Sequence, residues 1–150
     1  MATAETTLAG SRVHGALPSW VSVSVILGAL LMVMGAVIAL IHPAMLVSTD
    51  AQMNEAARVY AGYLVSRNLA LAVLLVAALG TRARAALRSL MVLTALIQIF
   101  DAAIDCVERR WPLVPGVAVF AIVFFLGAAR LSDYPLWKLA AWRDEASFGK

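Results

Sequence analysis

Two short stretches of this 150-residue chain hold the residue types that do chemistry. The first contains Tyr60, Tyr63, Arg67 and Asn68, and the second contains Gln98, Asp101 and Asp105. Tyr60, Tyr63 and Arg67 recur at i, i+3 and i+7, and Gln98, Asp101 and Asp105 repeat that spacing. Each set therefore falls on one face of a helix. Carboxyl groups four residues apart can hold unlike protonation states, one giving a proton and the other taking it. An arginine beside them can orient the acid or stabilise developing negative charge. Such a set suits epoxide opening, cyclisation or isomerisation of a lipophilic small molecule. Asp101, Asp105 and Arg67 would then be the catalytic groups, with Asp101 the leading acid or base. Tyr60, Tyr63, Asn68 and Gln98 would bind the substrate. The alternative is a non-enzymatic accessory subunit or small transporter, in which an Arg67–Asp101 pair fixes helix packing and register.

Other chemistries fit less well. Cys106 is the sole cysteine, so there is no disulfide within the chain and no CxxC pair. It also lacks a histidine partner, and a packed thiol is the plainer reading. A metal site built on Asp101, Asp105 and Glu108 would have few oxygen ligands and no histidine, so no metal is expected. His14 and His42 flank the first apolar block, which disfavours a haem held between two histidines. No glycine-rich phosphate loop is present, and no cofactor is expected.

The elements that must position these residues are evident from composition. The chain is 63% hydrophobic and 14% charged, with mean hydropathy +0.88. Soluble domains run nearer ~45–50% apolar and ~25% charged, so a soluble domain, a disordered tail and a disulfide-knitted miniprotein are excluded. The apolar residues form blocks near the ~20 residues that span a bilayer. The pattern predicts an all-α integral membrane four-helix bundle, a single domain over residues 1–150. Its spans lie at about 20–41, 56–79, 87–107 and 114–131. Residues 1–18 lack a compact basic segment, and the first block has no small-residue cleavage site, so it reads as a retained span. Gly80 is expected to end the second span. The tail over 132–150 carries Tyr134, Trp137 and Trp142 among charges, and a short interfacial helix is expected from about Pro135, capped by Asp133. Ser24, Gly28, Gly35 and Ala39 share one face of the first span. Close packing within the chain is the plainer reading of that stripe, and a homodimer face is the alternative.

Charge sets the expected orientation. The net charge is +3, and the basic residues flank apolar blocks, which points to an anionic lipid surface and away from nucleic acid. Arg12, Arg82, Arg84, Arg88, Arg130, Lys138, Arg143 and Lys150 fall on one side, and Arg58, Arg109 and Arg110 on the other. Both termini are therefore expected in the cytoplasm, in a multi-pass protein of the plasma (inner) membrane. The polar half of the second span and that of the third then share the outer half. At ~1.5 Å per residue, Arg67 lies ~16 Å below one span start and Asp101 ~9 Å below the other span's end. A snorkelling guanidinium closes that difference, and pairing is the expected state of a charge at this depth. Asp105 is expected nearer the mouth, beside Arg58 or Arg109.

One further pattern carries a resemblance. The run Tyr63-Leu64-Val65-Ser66-Arg67-Asn68-Leu69-Ala70-Leu71 is followed by Thr81-Arg82-Ala83-Arg84 and then Asp101-Ala102. This resembles an uncharacterised branch of the DoxX-like small membrane proteins. That branch carries Gly-x-Arg-(Asp/Asn)-Leu-Ala-Leu in its second span, an arginine-rich loop and an acidic third span. Val65 stands here in place of the motif's glycine. The resemblance covers the second and third spans. It implies a four-helix membrane bundle and no settled activity.

Overall fold

The computed structural model describes residues 17–42, 55–132 and 135–138. Four helices run through them: α1 (Ser19–Ile41), α2 (Glu55–Gly80), α3 (Arg84–Val107) and α4 (Val114–Arg130). Every apolar block is a helix, and each helix end falls close to the boundary read from hydropathy. α1 starts on Pro18, whose carbonyl accepts the Val21 and Ser22 N–H groups at 3.0 and 3.3 Å. α4 carries Pro115 in its first turn, where a missing N–H breaks no intrahelical bond.

α2 and α3 end in the same way. Ala83 N–H donates to Ala78 O at 3.0 Å and Arg82 N–H to Leu79 O at 3.1 Å. Arg110 N–H donates to Asp105 O at 2.7 Å and Arg109 N–H to Cys106 O at 3.2 Å. Both are Schellman closures, which need a left-handed residue next to the helix end. That residue is Arg82 (φ 54°) and Arg109 (φ 58°), and neither is glycine. Gly80 ends α2, as its place after the apolar run predicts, and the left-handed turn comes two residues later at Arg82. The two turns reverse the chain between α2 and α3 and between α3 and α4.

α1 packs most extensively on α2, and α3 on α4, while the α2–α3 and α1–α4 seams are sparser. The helices thus form a ring of two tight pairs. The fully buried side chains include Val21, Val25, Leu75, Leu87, Met91 and Phe124. They come from the starts of α1 and α3 and from the later halves of α2 and α4. In an up-down arrangement these all meet at one end, which is the closed end of the bundle. Close approach there depends on glycine. A Cβ on Gly28 would meet Phe124 Cζ at 2.5 Å and Phe120 Cζ at 2.9 Å, and a Cβ on Gly127 would collide with Met91. The Phe120 and Phe124 rings stack with centroids 4.4 Å apart at 36°.

The outer surface is apolar: Leu30, Leu40, Val73, Phe100, Ile122 and Leu126 all lie exposed. A bundle in water places polar residues on that face. α1, α2 and α3 are long and apolar enough to cross a membrane. α4 has 17 residues, or about 26 Å of helix, at the short limit of a span. These features fit a membrane protein.

The small-residue stripe of α1 meets its own chain. Gly28 contacts α4, Gly35 faces Asn68 with 3.6 Å between its would-be Cβ and Nδ2, and Ala39 is buried. Ser24 donates its hydroxyl to Trp20 O at 2.8 Å. In the tail, Pro135–Lys138 form a turn closed by Lys138 N–H on Pro135 O at 2.9 Å. The remainder of the expected interfacial helix, including Asp133 and Trp142, lies outside the described residues.

Candidate functional site

The polar stretches of α2 and α3 meet at the end opposite the closed core. Antiparallel packing puts the first half of α2 beside the last half of α3, so Arg67 lies level with Asp101. Arg67 donates Nη2 to Asp101 Oδ2 at 2.9 Å and Nη1 to Oδ1 at 3.3 Å. This is a fork-to-fork pair, the strongest arginine–carboxylate geometry. It engages both carboxylate oxygens and joins two helices whose seam is otherwise sparse. The pair sits on the outward side of that seam, with the Arg67 side chain 37% and the Asp101 side chain 30% exposed. Arg67 Nε is buried and has no acceptor.

Asp105 is placed differently. One turn nearer the end of α3, it turns inward and its side chain is only 13% exposed. Its partner is Arg110 Nη1 at 3.5 Å, and not Arg58 or Arg109 as the sequence suggested. The cause is the closure of α3. Arg109 takes the left-handed position, and Arg110 N–H folds back onto the carbonyl of Asp105, so the next side chain lies over the Asp105 carboxylate.

A cleft of about 500 Å³ opens at this end between the two helix pairs. Leu31, Met32, Met34 and Gly35 of α1 form one wall. Leu113, Gly116, Val117 and Phe120, in and just before α4, form the other. Asn68, Gln98 and Asp105 supply its polar lining. The volume lies within the ~300–1,000 Å³ of small-molecule sites, and an apolar wall with a few convergent polar groups is their usual make-up. Toward the closed end the cleft stops at Met32 and Phe120, which pack with the fully buried Phe124, Leu75 and Met91 in the core cluster.

The seven candidate residues thus divide into three groups. Asn68, Gln98 and Asp105 share the cleft. Arg67 and Asp101 pair with each other on the α2–α3 seam and do not line it. Tyr60 and Tyr63 point away from the bundle, 74% and 68% exposed. Helical spacing explains the division: Asn68 is rotated ~100° from Arg67, enough to separate an inward residue from a seam residue. One participant, Arg110, is not evident from the sequence pattern. In the sequence Arg110 reads as a surface charge, and only the Schellman turn brings it to Asp105. Thr94 is fully buried with its hydroxyl unpartnered, on the α3 face that also carries Gln98 and Asp105.

In comparisons with known proteins, no family model, no curated protein and no solved structure matches this chain.

Proposed function

We propose that this is a multi-pass membrane protein, cytoplasmic at both ends, that binds a lipophilic small molecule in the open-end cleft and acts on it by acid–base chemistry. One observation carries the reading: an apolar-walled cleft, blind at one end, in which Asn68, Gln98 and the near-buried Asp105 converge. Asp105 is the proton donor or acceptor, because it is the acid that reaches the cleft. Arg110 sets its position, and Asn68 and Gln98 hold the polar part of the ligand. Asp101 moves from leading acid to structural partner, since one guanidinium already engages both its oxygens. A blind cleft favours an enzyme over a transporter, which needs access from each side in turn. The stretch from Arg67 to Leu71 keeps the DoxX-like resemblance within this proposal as a relationship of fold.

The test is the small molecule that the protein retains. Protein purified from membranes is extracted into organic solvent, and bound molecules are identified by mass spectrometry. Wild type should carry a lipophilic molecule that Asn68→Leu/Gln98→Leu loses without a change in thermal unfolding. Asp105→Asn should keep that molecule but stop its conversion. Equal retention by wild type and the Asn68/Gln98 variant would overturn the reading.

A further inference from the structure

We infer that the cleft is loaded sideways from the bilayer, through a gap between α1 and α4, and that it takes an uncharged amphiphile. This rests on the cleft being a ligand site, as proposed above, and adds the route and the class of ligand.

The route follows from where α1 and α4 touch. They meet at Gly28, which fits against Phe124 and Phe120, and Trp20 lies near Gly127. Both contacts are at the closed end. Farther along, the same two helices become opposite walls of the cleft. The rim there is apolar and half-exposed: Leu31 at 43%, Met34 at 53% and Leu113 at 44%. Gly116 leaves the α4 side of the gap without a side chain, and a Cβ there would meet nothing within 4 Å. Two grooves of about 420 and 500 Å³ lie along the α1–α2 seam, but neither is lined by Asn68, Gln98 or Asp105, so neither leads to the polar groups of the cleft. α1–α2 and α3–α4 are the tight pairs, and the Arg67–Asp101 pair bridges α2–α3.

The ligand class follows from charge. Among the described residues Asp105 is the charged one lining the cleft, and Arg110 already balances it. The other polar groups, the amides of Asn68 and Gln98, offer both donors and acceptors. An ionic head would enter an apolar surround with no counter-ion left for it among the described residues, a placement that membranes penalise heavily. A hydroxyl, carbonyl or amide head on an apolar body meets every requirement: apolar walls, amide partners and access from the hydrocarbon.

The experiment uses the full-length protein in lipid nanodiscs and three photoreactive probes sharing one acyl chain: a monoacylglycerol, a fatty acid and a fatty amine. Cross-linked peptides are mapped by mass spectrometry. The monoacylglycerol should label residues 31–35 and 113–117, and each charged probe should label them at least about tenfold less. Gly116→Trp, which fills open space, should cut labelling by about tenfold. Met34→Trp narrows the gap from the other wall and should act alike, which covers any folding defect of the first variant. Gly62→Trp, equally open but outside the cleft, should label like wild type. Undiminished labelling in well-folded Gly116→Trp and Met34→Trp overturns sideways loading, and equal labelling by the charged probes overturns the ligand class. If Asn68→Leu/Gln98→Leu abolishes labelling while the two tryptophan variants do not, the cleft stands and only the route fails. If none of these variants changes labelling, the cleft reading fails with it.

Discussion

Replacing Asp101 by asparagine removes one charge from the Arg67–Asp101 pair while keeping the side chain's shape. The cost depends on what surrounds the pair. Two unit charges ~4 Å apart attract by ~4 kcal/mol at an effective dielectric constant of ~20. A lone arginine near the middle of a membrane-spanning helix costs ~2.5–3.5 kcal/mol. An ion pair of this exposure facing water is worth only ~0.2–1 kcal/mol. A membrane-embedded clamp between the two helix pairs therefore predicts that Asp101→Asn loses ~2.5–4 kcal/mol. The double variant Arg67→Met/Asp101→Leu should recover most of that loss, because an apolar pair leaves no charge uncompensated. Equilibrium unfolding in mixed micelles, followed by far-ultraviolet circular dichroism, measures these variants, and the single variants Arg67→Met and Asp101→Leu close the cycle. The reasoning is refuted if Asp101→Asn stays within ~0.5 kcal/mol of wild type, or if the cycle returns a coupling below ~0.5 kcal/mol.

Three further expectations concern the fold. Gly28→Leu should destabilise by at least ~1–3 kcal/mol, because its first carbon already overlaps Phe124 and Phe120; Gly62→Ala, with open space at its Cβ, should stabilise by up to ~1 kcal/mol, and thermal melts compare the two. Phe124→Ala should cost ~3–5 kcal/mol in the same assay, since its ring fills the closed end from α4. Arg109→Gly should raise the unfolding midpoint, by up to ~1 kcal/mol of stability, by relieving the left-handed backbone without disturbing the Arg110–Asp105 contact.

The helices were legible because hydropathy is a local property. The blocks from Trp20 to Ile41 and from Val114 to Leu131 carry the signal without help from the rest of the chain. Matching the depths of Arg67 and Asp101 needed only antiparallel neighbours and a fixed rise per residue. Rotation about the helix axis was harder. The i, i+3, i+7 pattern places Tyr60, Tyr63 and Arg67 on one stripe, but it cannot tell whether that stripe faces the bundle interior, a seam or the outside. The answer depends on how α1 packs on α2 at Gly35 and on α4 at Gly28, which another part of the sequence determines. The partner of Asp105 was hidden for a related reason. Whether Arg58, Arg109 or Arg110 reaches it depends on which residue of the turn goes left-handed, and no glycine marks that residue. The cleft was hidden as well, because it is the space left where α1 and α4 diverge, and no residue pattern records an absence of contact.

The most direct test of the ligand site is an experimental structure of the protein in a lipid nanodisc at a resolution that shows small molecules. The account predicts elongated non-protein density between α1 and α4, its polar end within about 3 Å of Asn68, Gln98 or Asp105. A structure in which Leu31 packs directly on Leu113, leaving no space above Phe120 and Phe124, would contradict it.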